Sequence, residues 1–343
     1  MPSYSKYMRP SSGGITQDNP GNYFGDGSLG DVTISVNTSM CAANDDAAIY
    51  ESHFASLTVN SSTTLNLGFR RRAHVIYVQG NCTINGSITM STGAAAAASN
   101  QIVVRRSPVN GFSTYTETAS SIATSYICPA AGSAGGALRS TDGNGNTGTA
   151  GTGGGTGGGG GGSRANADGN SGAGGTGTAY SGGTGGGAKT GTGGGNASAG
   201  AANGGAGGAS VAGGGNSQAG GGAGNPGGAG AGAGLAGTDG TGGTLILIVG
   251  GNLTLGGSAV ISANGSAGGA ATTAEIFRGG GGGSGGGRVI VLYAGTLSNS
   301  GSIVTTGGAG GVASGGGIEN RTGGAGGAGS VTSPTLIAKA LNG

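Results

Sequence analysis

Tryptophan is absent from this chain of 343 residues, and only 4% of its residues are aromatic. Charge is equally scarce: 14 Lys and Arg and 12 Asp and Glu leave a formal net charge of +2. So few large side chains exclude an ordinary enzyme-sized core over the whole length. A near-neutral balance excludes nucleic-acid binding through phosphate neutralisation, which needs a concentrated basic surface. The only basic clusters, Arg70 to Arg72 and Arg105 with Arg106, are read as solvated loop or subunit contact. Only 7 prolines are present, too few for collagen or a Pro-rich disordered chain. The three cysteines, Cys41, Cys82 and Cys128, form no Cys-x-x-Cys pair and are odd in number. A disulfide framework and a zinc site are therefore not indicated, and small buried thiols are expected. No apolar run reaches eighteen residues, so no membrane-spanning helix is expected. The N-terminal decapeptide has no apolar stretch of the kind a secretory signal requires.

What is abundant is glycine, 92 residues in all. Residues 1–130 hold only 11 of them, and residues 151–200 hold 25. The early part reads as β structure. Short alternating runs rich in Val, Ile and Thr occur at Asp31 to Val36, Leu57 to Val59, Leu65 to Leu67, Val75 to Val78, Cys82 to Ile84 and Ile88 to Met90. Ala94 to Ala98 is read as linker.

A repeat follows. VIYVQGNCTINGSITMSTG begins at Val75, ILIVGGNLTLGGSAVISANG at Ile246 and IVLYAGTLSNSGSIVTTGG at Ile290. Without gaps, Gly80, Gly251 and Gly295 coincide, as do the pairs beginning at Gly86, Gly257 and Gly301. These are three copies of one β unit. Asn85-Gly86 fits either a hairpin turn or the corner of a solenoid rung. In either case the unit cannot bury its apolar face alone and must stack on neighbours.

Glycine-rich inserts separate the copies, the largest from about Gly143 to Gly243 and smaller ones at 265–287 and 307–329. A flexible linker is one reading, since glycine loses the most backbone entropy on folding. The tract is nearly uncharged, however, which suits left-handed extended helices of three residues per turn packed in a lattice. The expected fold is thus mainly β, with short-strand units (solenoid- or sandwich-like) framing glycine-rich polyglycine-II-like helices and little or no α-helix. The expected segments are an N-terminal stretch 1–30, a β domain 31–130, and a glycine-rich domain 131–343 with β units at 244–265 and 288–307.

From Phe24 onward the chain resembles the glycine-rich tail-fibre and receptor-binding proteins of tailed bacteriophages. The segment Phe24-Gly-Asp-Gly-Ser-Leu-Gly-Asp-Val-Thr-Ile-Ser35, the Leu57 to Asn60 strand, the Val75 to Gly93 unit and the glycine tracts carry the resemblance. It implies a homotrimeric virion structural protein, without enzymatic activity or cofactor. Its partners would be other virion or tail proteins and a host surface receptor, a glycan or an outer-membrane protein. Receptor contact would fall to the rare bulky residues of the tract: Arg164, Tyr180, Lys189, Val211, Gln218 and Leu235. Particle anchoring would fall to Tyr4, Tyr7, Tyr23 and Phe24. A virion protein is made in the host cytoplasm without a signal peptide and released by lysis, in keeping with the N-terminal sequence.

Two other readings fit the sequence: a capsid decoration protein or extracellular filament, and a β-solenoid glycan-degrading enzyme. The last would draw on Asp45, Asp46, Glu51 and His53, beside Tyr50, the one dense polar constellation. That stretch reads more simply as a loop before the Leu57 strand, and no catalytic or metal-binding residue is assigned. Gly-x-Gly-x-x-Gly recurs in the tract but lacks the strand–turn–helix setting that would give it meaning.

Overall fold

The computed structural model describes residues 9–10, 24–40, 49–67, 69, 71, 73–91, 100–107, 111–118, 242–268, 283, 285–312, 325 and 328–337. Among the described residues there is no α-helix; every regular element is a strand, β1 to β18 in chain order.

Fifteen of these strands form a parallel β-solenoid. Sheet A stacks β4 (Ile49–Phe54), β7 (Ala73–Val78), β12 (Thr244–Val249), β15 (Arg288–Tyr293) and β18 (Ser330–Leu336). Sheet B stacks β2 (Asp31–Ile34), β5 (Ser56–Val59), β8 (Cys82–Ile84), β13 (Leu253–Leu255) and β16 (Leu297–Asn299). Sheet C stacks β3 (Thr38–Ser39), β6 (Thr64–Asn66), β9 (Ser87–Thr89), β14 (Val260–Ser262) and β17 (Ser302–Val304). The chain visits B, C and A in rotation, five times. β1 (Arg9–Pro10) lies antiparallel on the free edge of β4, opposite Glu51 and Tyr50. β10 (Asn100–Ser107) and β11 (Gly111–Thr118) form a separate antiparallel hairpin.

Burial explains why the sheets differ in sequence. Strands β8 and β13 alternate buried and half-buried residues, because one face meets the interior and the other meets water. Strands β7 and β12 are apolar almost without interruption, AHVIYV and TLILIV, and both of their faces are buried. The inner face joins the main core with Leu57, Leu65, Cys82, Ile84, Ile88, Leu253 and Ile261. The outer face forms a second cluster of Val75, Tyr77, Ile246, Ile248, Ile290, Leu292 and Ile337.

The repeat register is that of the solenoid. Val75, Ile246 and Ile290 are partners in sheet A, and Cys82, Leu253 and Leu297 in sheet B. The corner after Leu255 departs from the ungapped alignment. Ser87 and Ser302 both stand beside Val260 rather than Ser258, so the middle copy carries two additional residues at this corner. Asn85-Gly86 is a rung corner, not a hairpin turn, because the strands it joins belong to different parallel sheets. A further rung, β4 to β6, precedes the three recognised copies. The strands at 244–262 and 288–304 extend the same sheets as those before residue 92. The change in composition near residue 130 therefore falls inside an insertion between two adjacent rungs.

Side-chain amides reinforce the turn from sheet A to sheet B. Asn81 Oδ1 accepts from the backbone N–H of Asn252 at 2.9 Å, and Asn252 Oδ1 accepts from that of Thr296 at 2.9 Å. The column satisfies donors that the corner would otherwise leave unpaired.

Candidate functional site

The solenoid's three corners are unequal. The A-to-B turns contain three residues or fewer and the B-to-C turns four or fewer. The C-to-A corner carries everything else: 40–48, 67–72, 90–243 with the β10–β11 hairpin, 263–287 and 305–329. All three glycine-rich inserts thus leave and return along one edge of the rod, on neighbouring rungs.

The roots of these inserts are packed backbone to backbone. The departing stems after Ser262 and Val304 stay paired beyond sheet C: Ala263, Gly265 and Gly268 donate to the carbonyls of Val304, Thr306 and Ala309. The step between bonds changes from two residues to three. The stems about Gly283 to Gly286 and Thr305 to Gly308 meet at two points three residues apart. A Cβ on Gly283 would strike the Gly308 carbonyl, and one on Gly286 would strike that of Thr305. In the column where the stems return to sheet A, a Cβ on Gly287 would strike the Gly243 carbonyl, and one on Gly329 that of Gly287. Only glycine permits this approach. A step of three residues matches one turn of a three-residue-per-turn extended helix.

The residues expected to touch a receptor, Arg164, Tyr180, Lys189, Val211, Gln218 and Leu235, lie outside the described residues, as do Tyr4, Tyr7, Tyr23, Asp45, Asp46 and Ala94 to Ala98. Phe24 is described. It packs on the outer apolar cluster of sheet A and against Gly250, within its own chain.

The described part of the polar constellation is not a loop. Tyr50, Glu51 and His53 sit in β4, because Ile49 and Phe54 bracket them with a strand's alternation. Glu51 and His53 face outward, where Asp26 joins them from the turn after Phe24. The backbone N–H of Asp26 donates to His53 Nδ1 at 3.2 Å. This places the ring proton on Nε2, 3.6 Å from Glu51 Oε2. Asp26 Oδ1 lies 3.6 Å from Nδ1. The imidazole stacks on Tyr77, centroids 4.8 Å apart. Burial, and then the Glu51 carboxylate, push the Tyr77 phenol above its ordinary value, and its hydroxyl has no partner. A glycosidase pair leaves open space between its carboxylates for sugar and water; here the imidazole ring fills it. Gly25 explains its own place in the sequence, with φ of 85° and a Cβ position already occupied by Tyr77 and His53. The Phe24-Gly-Asp-Gly segment is thus a clasp. Its contacts to β4 and to Gln79, whose side-chain amide donates to the Gly25 carbonyl at 2.8 Å, hold the chain entering the first rung.

Inside the solenoid, Arg71 departs from expectation. It is fully buried rather than solvated. Its guanidinium lies 4.1 Å over the Tyr50 ring and its Nε donates to the Phe69 carbonyl at 3.0 Å. The ring face and the carbonyl take the place of water around the charge. Beside it, His74 Nε2 bonds Ser52 Oγ at 2.9 Å. Burial and then the Arg71 charge lower His74 to about 3, so it is neutral. Arg105 and Arg106 lie in strand β10, not in a loop. Cys82 is buried as expected, and burial raises its thiol to about 12. Among the described residues no group of His, Cys, Asp and Glu could hold a metal ion, and no helix is long and apolar enough to cross a membrane.

Legible in advance were the glycine tracts and the strands that carry them. The common corner was not, since it follows from the rotation of the chain through three sheets. The β4 rung was missed because its Ala55 corner is shorter than the others and shows no Gly-Asn signal. Comparison with protein-family models, curated proteins and solved structures finds no match.

Proposed function

We propose that this chain is a virion structural protein of a tailed bacteriophage, a tail-fibre or tail-tip component that attaches to the host cell surface. The observation that carries the reading is the shared corner. A parallel solenoid holds all three glycine-rich inserts along one edge, beside the short corners 40–48 and 67–72. Binding residues carried by loops on a rigid scaffold are the usual division of labour in recognition proteins. The three-residue step at the roots of the two smaller inserts supports reading the tracts as packed extended helices, and turns of the largest would present Arg164, Tyr180, Lys189, Val211, Gln218 and Leu235. Lateral association into a trimer through the solenoid walls belongs to the same reading, as does anchoring to the particle through Tyr4, Tyr7 and Tyr23.

The test is binding of the purified protein to a panel of candidate host cells, with and without residues 143–241. Saturable binding to some cells, lost on deletion while the far-ultraviolet β signal persists, is the expected result. Equal binding by both forms would move recognition away from the tract. Absence of binding by the intact chain to any susceptible host would favour a decoration or scaffolding role. Release of reducing sugar from host polysaccharide, lost in Glu51→Gln, would overturn the non-enzymatic reading.

A further inference from the structure

The two ends of the solenoid are unequal in a matching way. At the N-terminal end, β2 and β3 have no strand on their outer side among the described residues. Behind them opens a cavity of about 180 Å³ lined by Leu29, Val32, Ile34, Met40 and Phe54. Val36, between the two strands, is 61% exposed. At the C-terminal end, β16 and β17 are likewise free on their outer side. Here sheet A has one strand left over. β18 follows the last strands of B and C, and among the described residues no strand lies above its inward residues. Val331 pairs with the buried Val289 and Leu336 with Tyr293, yet they are 37% and 60% exposed. A buried interior thus runs out into solvent at both ends, with unpaired backbone along its rim.

The path through the sheets makes these ends complementary. The rotation begins in sheet B and ends in sheet A, with five parallel strands in each sheet. In this rotation a B strand comes after β18, and the first of the parallel strands, β2, is a B strand. We infer that the two ends are a head-to-tail docking pair for a second copy of this chain, in which β2 and β3 of one copy continue sheets B and C on β16 and β17 of the next. Val331 and Leu336 then meet the cavity lined by Val32, Ile34 and Met40, and the interior becomes continuous.

Sheet A is the regulated part of the junction. β1 covers Tyr50 and Glu51 of β4, where Pro10 has no N–H to donate; further along the same edge the Leu29 N–H donates to the His53 carbonyl and the Gly30 carbonyl accepts from the Ala55 N–H. Pro334, at the register shift in β18, blunts the opposite edge. Both β1 and the Leu29–Gly30 contact have to leave β4 before β18 of the next copy can approach along its whole length. The contact is heterologous, so it extends into a row, and its rungs would bring every insert-bearing corner onto one side. The docking pair stands whether or not the chain meets a host cell.

The experiment is sedimentation velocity on the full chain over a concentration series, with two paired variants. Val331→Lys with Leu336→Lys blocks the C-terminal end, and Val32→Lys with Val36→Lys blocks the other. The intact chain is expected to grow with concentration beyond any fixed oligomer, and each variant alone to lose that growth. A mixture of the two variants is expected to join once, through the ends left free, and to grow no further. A particle of constant size in the intact chain, or growth that persists in either folded variant, overturns the inference. Thermal melts establish folding. Should Val32→Lys unfold its chain, Val331→Lys with Leu336→Lys, on exposed positions, decides alone.

Discussion

A neutral histidine in a protein interior makes stability depend on pH, and His74 supplies that case. Its folded value of about 3 lies below the ordinary 6.5, through burial first and Arg71 second. The unfolded chain therefore binds the extra proton between these values and the folded chain does not. Stability contributed by this group is full above the ordinary histidine range and is lost as pH falls, with a slope approaching about 1.4 kcal/mol per pH unit. Urea denaturation at pH 7 and pH 5 should show the loss, and His74→Leu should show a shallower dependence. Equal pH dependence in both proteins would mean that His74 is protonated in the folded chain. The same burial governs Cys82. With its thiol raised to about 12, it should be inert to thiol reagents at pH 8 in the folded chain and react on denaturation. The measurement uses a Cys41→Ser, Cys128→Ser background, and prompt labelling of the native protein would contradict it.

Strands and corners obey different rules, and each rule has its test. The Asn81–Asn252–Thr296 column depends on one amide per rung. Asn252→Ala leaves the Thr296 N–H without its acceptor and should cost about 1 kcal/mol in a denaturant melt. The stems depend on the absence of side chains. Gly287→Ala drives a methyl into the Gly243 carbonyl and the backbone of Gly242, which have no rotamer to change. A loss of about 1–3 kcal/mol is expected, as for an overpacked core. A silent Gly287→Ala would show that the stems give way freely. How much of this was readable follows the same division. Uninterrupted apolar residues in Ile246 to Val249 and alternation in Leu253 to Leu255 are direct imprints of burial on two faces or one. The position of Ser258 was not readable, because Gly-Ser is equally acceptable at a corner of two residues and one of four. Tyr50, Glu51 and His53 misled for a related reason. Polar residues in a strand read as loop until the Asp26 turn and Arg71 give them partners, and both partners come from other rungs.

Across the whole molecule, the largest insert separates strands that are direct neighbours. Asn81 and Asn252 share a hydrogen bond across 171 residues of sequence, and sheets A, B and C all cross this gap between the same two rungs. The rod must therefore close a loop of about 150 residues before its third rung can join its fourth. Loop closure grows only as the logarithm of length, so replacing residues 92–241 with a two-residue link, which leaves a corner as long as 67–72, should relieve about 3 kcal/mol. The shortened chain should also fold faster, since non-local pairing sets the rate of parallel β structure. Both expectations assume that the tract contributes no stability of its own, as a tether would not. A lattice of glycine helices would contribute, through backbone bonds of the kind that Gly265 and Gly268 make to Thr306 and Ala309 at the roots of the two smaller inserts. The comparison therefore discriminates. If the shortened solenoid is more stable by roughly the closure term, the tract behaves as a tether held at the C-to-A corner. If it is less stable, the inserts form a structure that supports the rod, and receptor contacts rest on a rigid platform. Denaturant melts of the two chains, followed by circular dichroism because the protein has no tryptophan, make the measurement.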